Sequence, residues 1–98
     1  MEYVEFLRDL IKRYSGYWGN FPSWYAPIEN LYNVNSKEAR EIYEKIRESL
    51  RRLGKNVRER EYSFEATVKL DGKVFHIRAY EGGLDPKRRY WIDIKVTK

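Results

Sequence analysis

Cysteine is absent from this chain, which excludes a disulfide framework and a thiolate metal site. Histidine occurs once, so no zinc ligand cluster can be assembled. No Ser/His/Asp set stands out, and no glycine-rich loop has the spacing that cradles phosphates. No apolar run approaches the length of a membrane span. Met1 leads into a charged helical pattern rather than a signal peptide. These absences give an expectation of a cytoplasmic protein with no membrane contact, no metal and no cofactor.

Charge is abundant. Lysine and arginine number 20 against 15 acidic residues, a formal net charge of +5 that suits an anionic partner. Charged residues make up 36% of the chain, nearly all Lys, Arg and Glu, as in thermostable or designed proteins. At 98 residues one domain is expected, able to bury roughly two-thirds of its unfolded surface.

The chain is organised around residues 59–97, which read as a three-stranded antiparallel meander. From Tyr62 to Leu70 apolar and polar residues alternate without a fault, the period of a half-buried strand. Asp71-Gly72 follows and predicts a two-residue hairpin turn with positive φ at both positions. The turn fixes the register: Leu70 faces Lys73, Val68 faces Phe75, Ala66 faces Ile77 and Phe64 faces Ala79. Residues 89–97 alternate as well. A turn over 85–88 would set Ile77 against Ile94 and Ala79 against Ile92. The other face then carries a Glu65–Arg78–Asp93 row, expected to form ion pairs, and rows of Thr67, His76, Lys95 and of Ser63, Tyr80, Trp91.

Residues 2–14 have the spacing of an amphipathic helix through Tyr3, Phe6, Leu7, Leu10, Ile11 and Tyr14, stopped by Ser15-Gly16. Residues 36–53 read as a second helix, with Asn35 or Ser36 as its cap, Glu38 at the capping-box position and Gly54 just past its end. Arg40–Glu44, Glu41–Lys45 and Glu48–Arg52 are spaced for ion pairs on its wet side. The linker 15–35 is crowded with Tyr17, Trp18, Phe21, Trp24, Tyr25 and Tyr32. A loop of that length is unusual, so an extended piece at 24–26 and a helical turn from Pro27 are expected. Its aromatics either plug the edges of a small core or, through Trp18, Trp24 and Tyr25, dock a protein partner or a second copy.

The predicted class is therefore α+β: two helices on one face of a three-stranded meander, with a fourth strand available from the linker. The register gathers Arg58, Arg60, Lys87, Arg88 and Arg89 at one end of the sheet, beside Tyr80 and Trp91. Arg51, Arg52 and Lys55 feed the same end. Clustered cations near exposed aromatics are the footprint of phosphate-backbone contacts, so the leading expectation is a non-enzymatic module that binds DNA, RNA or another polyanion at this basic pole. Hairpin loops and helix C-termini also gather cations for local reasons.

Two catalytic alternatives have residues to name. Asp85 followed by Asp93-Ile94-Lys95 resembles the aspartate and D-x-K elements of restriction-type nucleases. That resemblance implies two carboxylates on Mg²⁺ and a lysine beside the attacking water. It covers some eleven residues, and no helix and strand follow to complete such a core. His76, flanked by Arg78, Tyr80 and Lys95, has the makings of a metal-independent ribonuclease base. A designed protein without evolved function also fits the regular second helix and the Asp-Gly hairpin, although the irregular linker does not.

Overall fold

The computed structural model describes residues 2–18, 25–82 and 87–97, apart from the side chain of Trp18. Within them the chain forms three helices and a five-stranded antiparallel sheet. Helix α1 spans Glu2–Trp18, strand β1 Ala26–Pro27, helix α2 Ile28–Tyr32 and helix α3 Ser36–Leu53. Strands β2 (Lys55–Glu59), β3 (Ser63–Leu70), β4 (Lys73–Glu81) and β5 (Tyr90–Thr97) follow, in sheet order β1-β5-β4-β3-β2.

The meander has the predicted register at every position named above, including Ala66↔Ile77, Ile77↔Ile94 and Ala79↔Ile92. Asp71 and Gly72 take φ values of 52° and 78°, as a primed turn demands. The apolar face carries Phe64, Ala66, Val68, Leu70, Ile77, Ala79, Ile92 and Ile94, all buried. Helix α3 lies over it with Ala39, Tyr43, Ile46 and Leu50, and α1 adds Leu7, Leu10 and Tyr14. Fully burying a side chain the size of Leu or Phe contributes about 1.5–3 kcal/mol, so this interlayer holds the fold.

Three expectations need correction. Helix α1 does not stop at Ser15-Gly16 but continues to Trp18. A glycine within a helix costs only about 1 kcal/mol. Anchors on either side outweigh that cost: Tyr14 is buried, and the Tyr17 hydroxyl accepts a hydrogen bond from Asn30 Nδ2 at 3.3 Å. The linker does contribute a strand, but Pro27 belongs to it (φ −73°, ψ 133°) and α2 begins one residue later. Proline suits an edge strand, where no ladder donor is missed.

The third correction is β2, which extends the three expected strands to a sheet with both flanks filled. All five of its residues are exposed, so it has no hydrophobic alternation to read. It pairs through Lys55↔Thr67 and Arg58↔Glu65, with one extra residue between them. Asn56, at φ 55°, absorbs that bulge, since asparagine tolerates the left-handed region.

The caps and surface pairs are partly as expected. Asn35 caps α3, its side chain accepting from Glu38 N at 2.9 Å. Gly54 is extended rather than left-handed; a Cβ there would meet Leu50 O at 2.5 Å and Ala66 Cβ at 2.7 Å. Close approach between helix and sheet therefore demands the glycine. Glu48–Arg52 forms at 2.8 Å. Lys45, by contrast, reaches Glu2 at 3.1 Å, and Glu44 meets Arg47 at 3.8 Å, because partners from other turns and elements are better placed.

Candidate functional site

Among the described residues no helix covers the second face of the sheet. Its rows follow from the register: Lys55–Thr67–His76–Lys95, Arg58–Glu65–Arg78–Asp93, and Ser63–Tyr80–Trp91, with Lys69–Val74–Thr97 at the far end. Among the described residues five strand cations (Lys55, Arg58, Lys69, Arg78, Lys95) share this face with two strand carboxylates, Glu65 and Asp93. A shallow groove of about 350 Å³ runs across it between Tyr25, Arg58, Glu65, His76, Arg78 and Lys95.

The bulge in β2 shapes this face. Without the extra residue, simple alternation from Lys55 would set Val57 opposite Glu65 and turn Arg58 toward the helices. With it, Arg58 stands opposite Glu65, their charged groups 3.8 Å apart. Glu59 turns instead toward α3, where Arg47 and Arg51 both donate to its carboxylate.

Arg78 departs from the ion-pair expectation. It lies between Glu65 and Asp93 in the register, yet among the described residues it forms no ion pair with either. Its Nη1 donates to the Tyr25 hydroxyl at 3.1 Å, and its guanidinium sits 5.2 Å from the Tyr80 ring centre and 5.8 Å from that of Tyr25. Tyr25 meets Tyr80 edge-on, with centroids 4.9 Å apart and planes at 85°. Tyr80 and Trp91 are near parallel, 13° apart at 6.5 Å. Trp91 Nε1 donates to Gly82 O at 3.1 Å, which fixes the indole. Guanidinium over an aromatic face is electrostatically favourable, so one cation and three rings form a single pre-ordered cluster.

The residues of the predicted pole open into different parts of the surface. Arg58 and Arg60 border the sheet face with Ser63, Glu65 and Arg78. Lys87 and Arg88 line a groove on the α2 side with Tyr17, Asn30 and Asn35, and Arg88 Nε donates to Asn30 Oδ1 at 3.0 Å. Arg89 faces Arg40, Glu44 and Glu81. Arg51 and Arg52 are engaged by Glu59 and Glu48.

His76 is exposed at the centre of the sheet face. Its Nδ1 lies 3.2 Å from Thr67 Oγ1 and its Nε2 3.0 Å from Thr97 Oγ1. Burial, and to a lesser degree Tyr25, pushes the Tyr80 phenol above its ordinary pKa against the pull of Arg78. Tyr80 therefore stays protonated at neutral pH. Asp93 and Lys95 project from one face of β5, and Asp93 Oδ1 lies 3.4 Å from the Tyr14 hydroxyl. The second carboxylate of the D-x-K pattern, Asp85, lies outside the described residues, as do Phe21, Trp24 and the Trp18 side chain. Among the described residues no three His, Asp or Glu side chains converge as metal ligands.

Sequence reading missed the Tyr25–Arg78 contact and the buried carboxylate of Glu29. Glu29 accepts from Ser36 Oγ at 2.9 Å and Arg89 N at 2.6 Å through Oε2, and from Tyr90 N at 3.4 Å through Oε1. It locks α2 to the start of α3 and of β5. Helical spacing in a five-residue helix gives no signal of such a role. Comparison with protein-family models, with curated proteins and with solved structures finds no match for the chain.

Proposed function

We propose that the protein is a small non-enzymatic module that binds nucleic acid through the open face of its sheet. The observation that carries this reading is the Tyr25–Tyr80–Trp91 cluster with Arg78 over two of its rings, set among an excess of cations. Cations that neutralise phosphates release condensed counterions, and aromatic faces supply stacking. The basic end of the sheet contributes Arg58 and Arg60 to the same surface. Binding is favoured over acid–base chemistry because both nitrogens of His76 already face threonine hydroxyls.

The test is fluorescence anisotropy with labelled DNA and RNA across a salt series. Reversing Arg58 and Lys95 to Glu should weaken binding and flatten the log–log salt slope by about 0.7–0.9 for each phosphate that is no longer neutralised. Reversing Lys87, Arg88 and Arg89 to Glu should weaken it less. If only the second set abolishes binding, the site lies at the β4–β5 loop and not on the sheet face. Salt-independent binding, or none, sinks the reading.

A further inference from the structure

We infer that the ligand of this face is a single strand, one of whose bases stacks on the aromatic cluster beside Arg78; this rests on the nucleic-acid reading above. A duplex hides the faces of its bases and offers only their edges in the grooves, where a helix or a two-stranded ribbon must enter. The candidate surface is a broad sheet face with its rings set among the strands, and among the described residues no helix stands over it. Such a surface can engage base faces only when the bases are unstacked.

The cluster has an open end. Tyr25 is 42% exposed, whereas Tyr80 and Trp91 are half-buried. Its ring is braced edge-on by Tyr80 and its hydroxyl is held by Arg78, so a base that settles on it immobilises little that was free before. Arg78 donates only to Tyr25 among the described residues, which leaves its other N–H groups for a phosphate next to the stacked base. Lys95 and the hydroxyl of Thr67 lie in the neighbouring row, within the same face, for the adjoining sugar and phosphate. Glu65 and Asp93 flank Arg78 and disfavour phosphates at those two points. The backbone of the strand is thereby directed to Arg78 and to the Lys55 and Lys95 row beside it.

The experiment compares short labelled strands of thymidylate and uridylate, a duplex of equal length, an abasic strand with the same number of phosphates, and heparin. Both single strands should bind tighter than the abasic strand by about 5- to 150-fold, the range that one stacked base supplies. They should also bind tighter than the duplex. The tighter of the two identifies DNA or RNA as the source, and either result supports the inference. Tyr25→Leu should remove most of the advantage over the abasic strand, while Tyr25→Phe should retain it. Circular dichroism checks that each variant folds, and Tyr25→Ser replaces the leucine variant if that one does not. Equal affinity for single, abasic and heparin ligands, unaffected by Tyr25→Leu, overturns the stacking inference but leaves a polyanion site. Preference for the duplex also overturns it. Failure to bind any of the five overturns the inference and the nucleic-acid reading together.

Discussion

The two sides of this small protein use the same residue types to opposite ends. On the helical side five arginines are committed. Arg8 holds Asp71 at 2.8 Å, Arg13 holds Asp9 at 2.7 Å, and Arg47 and Arg51 share Glu59. Several also lie over aromatic rings, as Arg13 does over Tyr32 at 4.4 Å and Arg52 over Tyr3 at 4.9 Å. On the open sheet face only Arg58 has an ion pair among the described residues, and it is long. Among the described residues Lys55, Lys69, Arg78 and Lys95 have no ion pair with a carboxylate. Charge on one side fastens elements together; on the other it is left available to a ligand.

The comparison can be tested from its firmest point outward. Glu29→Ala removes the acceptor of three donors in the interior of the helical side, and should lower stability by about 2–3 kcal/mol in chemical denaturation. Oligonucleotide affinity of the folded variant should be unchanged, and a parallel drop in affinity would break the division between the two sides. Arg78→Ala should show the reverse: weaker oligonucleotide binding with a stability cost of no more than about 1 kcal/mol, because an exposed cation–π contact contributes little. A larger cost would make Arg78 a structural residue.

Glu59→Gln examines the fastening by pH. Hydrogen bonds from Arg51 and Arg47 hold the Glu59 carboxyl below the usual carboxylate range. A depressed folded pKa gives stability that is present above the unfolded value of about 4.3 and lost as pH falls through the folded one. The melting temperature of the wild type should therefore exceed that of the variant near neutrality, and the gap should close in acid. A gap that persists at low pH would assign the effect to shape rather than charge. The smallest expected effect is Tyr32→Phe. Burial pushes this phenol up to about 12, and its oxygen is buried without a hydrogen-bond partner among the described residues. Removing it should raise stability by up to about 1 kcal/mol, and a clear decrease would reveal a partner for that hydroxyl.

The sheet was legible wherever one face is buried and a turn sets the register. Alternation through Phe64, Ala66, Val68 and Leu70, joined to Asp71-Gly72, leaves one alignment that keeps all four inside. Strand β2 was invisible for the opposite reason: nothing in Lys55–Glu59 is buried, so tertiary pairing alone makes it a strand. The helix end at Trp18 escapes a local reading because glycine propensity says nothing of Tyr17's contact to α2. The aromatics of the open face were legible in part. Alternation placed Tyr80 beside Trp91, but Tyr25 reaches them across β1, more than fifty residues away in sequence. Long-range placement of a single ring leaves no periodic trace.

Strand β1 has a kinetic consequence. Strands β2 to β5 are sequential hairpins, whose short loops close quickly, whereas β1 must find β5 across some sixty-five residues. It is two residues long, and one of them is a proline without an amide proton. Such a clasp should form last in folding and open first in the native state, without disturbing the hairpins behind it. Amide exchange at Ala26 should then outpace exchange in the centre of β4, and slowing of Ala26 by bound oligonucleotide would report ligand tightening the latch that carries Tyr25.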